Sequence, residues 1–100
     1  MQNNLELEIT INRIRQMESI FDQLQSVLQY AADSLYEDES LQEMLQALTK
    51  YYESGQWLKD YESDERGELP MDLKRGVLSQ DGIYHLLFEI EQRGGVRNGK

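Results

Sequence analysis

The chain has 100 residues, 39% of them apolar, and carries 19 acidic against 10 basic side chains for a formal net charge of −9. That size supports one domain around one modest core, and the absence of cysteine rules out disulfides and thiolate ligands and fits a reducing compartment. One histidine is too few for a multi-histidine metal site, and scattered cations argue against direct binding to nucleic acid or to anionic membrane surfaces.

Met1-Gln2-Asn3-Asn4 has neither the basic start nor the apolar run of a secretory signal. The longest apolar run lies around Leu86-Leu87-Phe88, far short of the roughly 20 residues that span a bilayer. A cytoplasmic protein is expected.

Leu5, Leu7, Ile9 and Ile11 alternate as a strand would, but no later segment offers a partner. An extended arm or a frayed helical lead-in over residues 1–8 is expected instead. Ile14, Met17, Phe21, Leu24, Leu28, Ala31 and Leu35 then recur in steps of three and four. This places them on one side of a helix that runs without Gly or Pro between Leu5 and Tyr36. Ile20 and Val27 widen the stripe, so more than one neighbour is expected. The same repeat is that of a coiled-coil seam, so a homodimer through this helix is one expected form.

Asp33 to Glu39 reads as a polar joint. Ser40 and Glu43 have the spacing of a capping box. Leu41, Leu45, Leu48 and Tyr52 form the stripe of a second helix, flanked by Met44 and Tyr51. Lys50 suits its last turn, and Gly55 suits the left-handed residue that ends it. A short joint between two amphipathic helices predicts an antiparallel hairpin. A third, short helix follows from Gln56 to about Asp64, with Ser54 as a cap and Trp57, Leu58 and Tyr61 inward.

Gly67, Pro70 and Gly76 punctuate the stretch from Glu65 to Leu78, whose apolar anchors are Leu69, Met71, Leu73, Val77 and Leu78. Pro70 is expected to open a helical turn that Gly76 closes, within an ordered loop wrapped on the hairpin. Ser79 or Asp81 caps a last helix. Ile83, Leu86, Leu87 and Ile90 make one face of it, Tyr84 and Phe88 widen that face, and only a narrow strip holding His85, Glu89 and Gln92 is polar, which predicts deep packing. Arg93-Gly94-Gly95 is expected to stop it before a disordered tail over 94–100. The expectation is an all-α fold: an antiparallel helical hairpin with a long first helix, a short third helix, an ordered loop and a packed C-terminal helix, in a single domain over residues 1–93.

Few residues carry chemistry. Asp60, Glu62, Asp64, Glu65, Glu68 and Asp72 are dense enough to test as a calcium loop. Starting at Asp60, Glu65 stands where the sharp turn needs glycine and Met71 where a bidentate glutamate is needed; starting at Glu62, Leu73 takes that last position. A solvated acidic surface is the plainer reading, and an acid–base pair would need burial beside a cleft. His85 has Glu89 one turn away, so a surface ion pair explains it. No nucleophile elbow, phosphate-binding glycine loop or His-Glu-x-x-His pattern occurs. Lys74-Arg75-Gly76 offers charge and backbone donors to an anion, although Asp72 and Asp81 nearby supply structural partners. Trp57, Tyr61 and Tyr84 read first as packing residues, and second as interface anchors.

Tyr51-Tyr52-Glu53-Ser54-Gly55-Gln56-Trp57-Leu58, Asp60-Tyr61-Glu62, Asp64-Glu65-Arg66-Gly67-Glu68-Leu69-Pro70 and the run from Asp72 to Tyr84 together resemble the signature of a family of short bacterial proteins described as a domain of unknown function. Arg13-Ile14 and Met17-Glu18 resemble the opening of its first helix. The resemblance covers nearly the whole chain and implies a bacterial, intracellular protein. It implies no activity, cofactor or catalytic residue.

These readings point to a non-enzymatic protein-interaction module without cofactor, metal or catalytic residues. Its partner would be another protein, a basic one suiting the charge, with an acidic decoy for a nucleic-acid-binding protein as one variant. The candidate interaction surface is Trp57, Asp60, Tyr61, Asp64, Lys74, Arg75, Asp81 and Tyr84. The alternative is a small anionic-ligand binder or enzyme built on Lys74, Arg75, Asp81 and His85.

Overall fold

In the computed structural model, backbone is described for residues 4–99 and side chains for residues 4–93. Among the described residues five helices follow one another: α1 (Asn4–Tyr30), α2 (Ser34–Glu37), α3 (Glu39–Glu53), α4 (Gln56–Glu65) and α5 (Gln80–Gly99), with a 3₁₀ turn at Gly76–Leu78 before α5. No strand occurs among the described residues, so the fold is all-α. The strand-like alternation near the N-terminus is helical from Asn4 on, with Leu5 and Ile9 exposed in its first turns. Residues 1–3 of the expected lead-in lie outside the described residues. No helix among the described residues is long and apolar enough to cross a membrane.

The α1 stripe turns Ile14, Phe21 and Leu24 into the core. The uninterrupted helix expected as far as Tyr36 instead breaks after Tyr30. Ala31 and Asp33 are exposed, while Leu35, on the separate turn α2, is fully buried. Tertiary packing overrides periodicity here. Bending the chain drives Leu35 under α3 and lets the Tyr36 hydroxyl donate to the Ile90 carbonyl at 2.7 Å. Gln42 on α3 donates to the freed Leu35 carbonyl.

The predicted capping box at Ser40 does not form. Asp38 caps α3 instead, accepting from Ser40 N at 2.8 Å and Leu41 N at 3.3 Å, with the Ser40 hydroxyl donating to the same oxygen. A carboxylate also suits the positive end of the helix dipole, which explains why aspartate prevails over the serine two residues on. Those hydrogen bonds, Ser40's hydroxyl first, hold the Asp38 carboxyl below its ordinary range. Gly55 takes φ +93°, closed to most side chains, and in that one residue ends the α3 run and starts α4. The helices α1 and α3 pack as the expected hairpin.

The loop is part of the core. Leu69, Leu73, Val77 and Leu78 are all buried, each worth roughly 1.5–3 kcal/mol of transfer free energy. Met71, expected as a fifth anchor, is almost fully exposed. Gly76 opens the 3₁₀ turn rather than closing one begun at Pro70. Ile83, Leu86 and Ile90 of α5 join the core, but Tyr84 and Phe88 stay about half exposed. The deep packing expected for α5 is therefore only one-sided: α1 and the 3₁₀ turn cover it, and the flank towards α3 stays open. Its backbone runs past Gly94-Gly95, where a stop is predicted. The expected disorder of 94–100 falls outside the residues whose side chains are described.

Candidate functional site

A buried polar centre joins α1, α3 and α4. Asp60 is 1% exposed, and its two oxygens accept from Arg13, Nε to Oδ2 at 2.9 Å and Nη2 to Oδ1 at 2.7 Å. This is the paired, fork-like geometry that makes guanidinium–carboxylate contacts strong. The Tyr51 hydroxyl donates to Asp60 Oδ2 at 2.7 Å. Arg13 also reaches the buried Thr10 hydroxyl at 3.3 Å. The Asp60 hydrogen bond strengthens the protonated form of Arg13. Burial, then the same carboxylate, pushes the Tyr51 phenol well above its ordinary value. Asp60 is thus not part of a solvated acidic surface, as expected from its neighbours. It is a carboxylate buried against a cation from 47 residues earlier in the chain.

A second cluster fastens the loop. The buried Trp57 indole donates to the Val77 carbonyl at 2.8 Å, and its ring stacks on Tyr61 with centroids 5.1 Å apart. From the other side, Glu18 on α1 accepts from Val77 N at 2.7 Å. A side chain at position 76 would place its Cβ 3.1 Å from the other Glu18 oxygen, a tight approach that the carboxylate would have to relieve by shifting a few tenths of an ångström. Arg75 is folded inward, donating to Asp64 and to the carbonyls of Pro70 and Leu73.

The candidate interaction residues are therefore dispersed. Trp57 and Asp60 are buried, Tyr61 is half-buried on Trp57, and Asp64 and Arg75 bind each other. Lys74, Asp81 and Tyr84 are exposed. The anion-site alternative is not assembled either. Arg75 is committed to the loop, Lys74 lines a depression with Arg15, Glu18 and Asp72, and His85 lines another with Gln25, Glu89 and Arg93. Among the described residues no group of three or more His, Asp or Glu side chains is placed to hold a metal ion.

What sequence reasoning missed is the groove between α3 and α5. It holds about 590 Å³ and is walled by Leu45, Thr49 and Tyr52 on α3 and by Tyr84, Leu87 and Phe88 on α5. Tyr84 and Phe88, one turn apart, stack with centroids 5.8 Å apart. Tyr36 and Ile90 form its floor, and Glu53 and Glu91 are its only charged lining residues among those described. The signal was present in the sequence. An apolar girth on α5 wider than one neighbour needs marks either deep burial or an open flank, and periodicity alone does not separate these.

No curated protein and no solved structure matches the chain. A family model described as "Domain of unknown function (DUF4298)" matches residues 14–93. Those bounds take in Glu18, the α3–α4 turn, the Trp57–Val77 fastening and both walls of the groove. The chain belongs to that family.

Proposed function

We propose that the protein is a non-enzymatic interaction module, acting in the bacterial cytoplasm, that docks a basic partner protein in the groove between α3 and α5. One observation carries this reading: Tyr84 and Phe88 remain about half exposed on a helix flank that none of the described residues covers. Large aromatics at the centre of a concave apolar surface are the residue types that dominate binding energy at protein interfaces. The ionisable groups favour docking over catalysis. Asp60 is spent on Arg13 and Tyr51, Arg75 on Asp64, and the groove floor donates its Tyr36 hydroxyl to Ile90. For a homodimer through α1, Leu5 and Ile9 are the exposed apolar residues, since Ile14, Phe21 and Leu24 serve the chain's own core.

The test is affinity capture from bacterial lysate with native protein, a Tyr84→Ser/Phe88→Ser variant and a Tyr30→Ser control. Tyr30 is the more exposed aromatic, 77% against 50% and 49%, but lies outside the groove. The reading predicts a protein retained by the native chain and the control and lost by the groove variant. Equal retention by all three, or a co-purifying small molecule with no protein, contradicts it.

A further inference from the structure

Resting on that docking reading, we propose that the occupant of the groove is a cationic amphipathic helix of about three turns. Three observations lead there.

The first is the spacing of the walls. Gln42, Leu45, Thr49 and Tyr52 follow one another at three, four and three residues along α3, a ridge of about 15 Å at 1.5 Å per residue. Tyr84, Leu87 and Glu91 repeat the pattern on α5 at three and four. Two helical ridges on either side of a trough reproduce the surface into which a third helix packs its own ridge.

The second is hydrogen bonding. The walls are helices, so their backbone donors and acceptors are already paired along each helix. Of the polar side chains at the α2–α3 end, Gln42 donates to the Leu35 carbonyl and Tyr36 to the Ile90 carbonyl. An extended peptide would lose water from its backbone and find few partners in exchange. A helix satisfies its own backbone and pays no such penalty.

The third is charge. Glu53 and Glu91 line the groove, no cation among the described residues does, and the chain carries −9 overall. An occupant with lysine or arginine beside its apolar stripe meets complementary potential at the rim and is steered by the field of the whole protein. An acidic helix of the same apolar content would be repelled, and a second copy of this chain would bring its own excess of negative charge.

The test is a displayed library of random peptides of about 16 residues, long enough for three to four turns, selected on the native protein and on the Phe88→Ser variant. Enriched sequences should carry apolar residues at i, i+3 or i+4 and i+7, with net positive charge and without proline. Enrichment should vanish on Phe88→Ser. The best peptide should become helical by circular dichroism on binding, and Glu53→Gln/Glu91→Gln should weaken it by about tenfold at low salt and by much less at high salt. Selection of extended, proline-containing or acidic sequences overturns the proposal, as does no enrichment or enrichment indifferent to Phe88→Ser. Concentration-dependent dimerisation abolished by Phe88→Ser would assign the groove to a second copy and also overturn it. If lysate capture still depends on Tyr84 and Phe88 while no helical peptide is selected, the docking reading stands and the helix fails. If capture is indifferent to both residues, the docking reading fails first.

Discussion

The Tyr51 hydroxyl sits 2.7 Å from Asp60 Oδ2 and donates to it across the Gly55 turn. That bond closes the angle between α3 and α4, and Arg13 from α1 completes the other side of the same carboxylate. One buried charge thus sets the mutual position of three helices.

The two ends of that ion pair should behave unequally when removed. Arg13→Met strands a carboxylate that is 2% exposed and should cost about 3 kcal/mol or more, as expected for breaking a buried pair. Asp60→Asn leaves an arginine whose side chain is already 25% exposed and able to turn towards water, so about 1–2 kcal/mol is expected. Urea unfolding of both variants measures the order, and a reversed order would mean that Asp60 is wetter than its burial indicates.

The same centre predicts an alkaline limit. Burial, first, and the Asp60 hydrogen bond, second, raise the Tyr51 phenol in the folded chain above its ordinary value of 10.0. As pH rises past that value the unfolded chain releases the proton while the folded chain keeps it. Stability from this group is therefore complete below about pH 10 and lost above it. Tyr51→Phe should lower stability at neutral pH by about 1 kcal/mol and flatten the decline between pH 9 and about 11. Parallel declines for native protein and variant would remove Tyr51 from the account.

The loop is predicted to be fastened by Glu18. Glu18→Ala removes the acceptor for Val77 N and should cost about 1–2 kcal/mol, while Glu18→Gln retains an acceptor and should cost less. Because the Trp57 indole donates to the carbonyl of the same residue, Val77, its fluorescence reports the loosening. Unchanged Trp57 emission in Glu18→Ala would show that the loop holds without it.

The extent to which this was legible in sequence follows from what each signal encodes. Periods of three and four placed Ile14, Phe21, Leu24, Leu48, Ile83, Leu86 and Ile90 correctly inside, because a one-sided stripe has one physical outcome. Gly55 was legible for a similar reason, since few residues other than glycine accept its backbone angle. The Arg13–Asp60 pair was not. Asp60 stands among five acidic neighbours that are only partly buried or exposed, and nothing local marks it as the one that meets a cation 47 residues away. The break after Tyr30 was hidden too, because it comes from the gain in burying Leu35 and not from a helix-breaking residue. Trp57 and Arg75 were visible as members of a distinctive stretch, but their internal roles needed the long-range contacts to Val77 and Asp64. The groove was half visible, as an α5 girth too wide for one neighbour.

Core and groove should separate in stability. Leu48, fully buried, should cost about 2–5 kcal/mol as Leu48→Ala. Phe88→Ser, at a position 49% exposed, should stay within about 0.5–1 kcal/mol of the native chain. Thermal unfolding of the two variants checks this, and a large loss for Phe88→Ser would make that ring a structural residue instead of a binding one.

The most direct test of the groove as the docking surface is calorimetric titration of the captured partner against native protein, Phe88→Ser and Lys74→Ala. The account predicts that Phe88→Ser weakens binding by at least about tenfold, the scale of losing an aromatic anchor, while Lys74→Ala leaves it within about twofold. Full affinity in Phe88→Ser together with loss in Lys74→Ala would contradict it and move the binding surface to the loop.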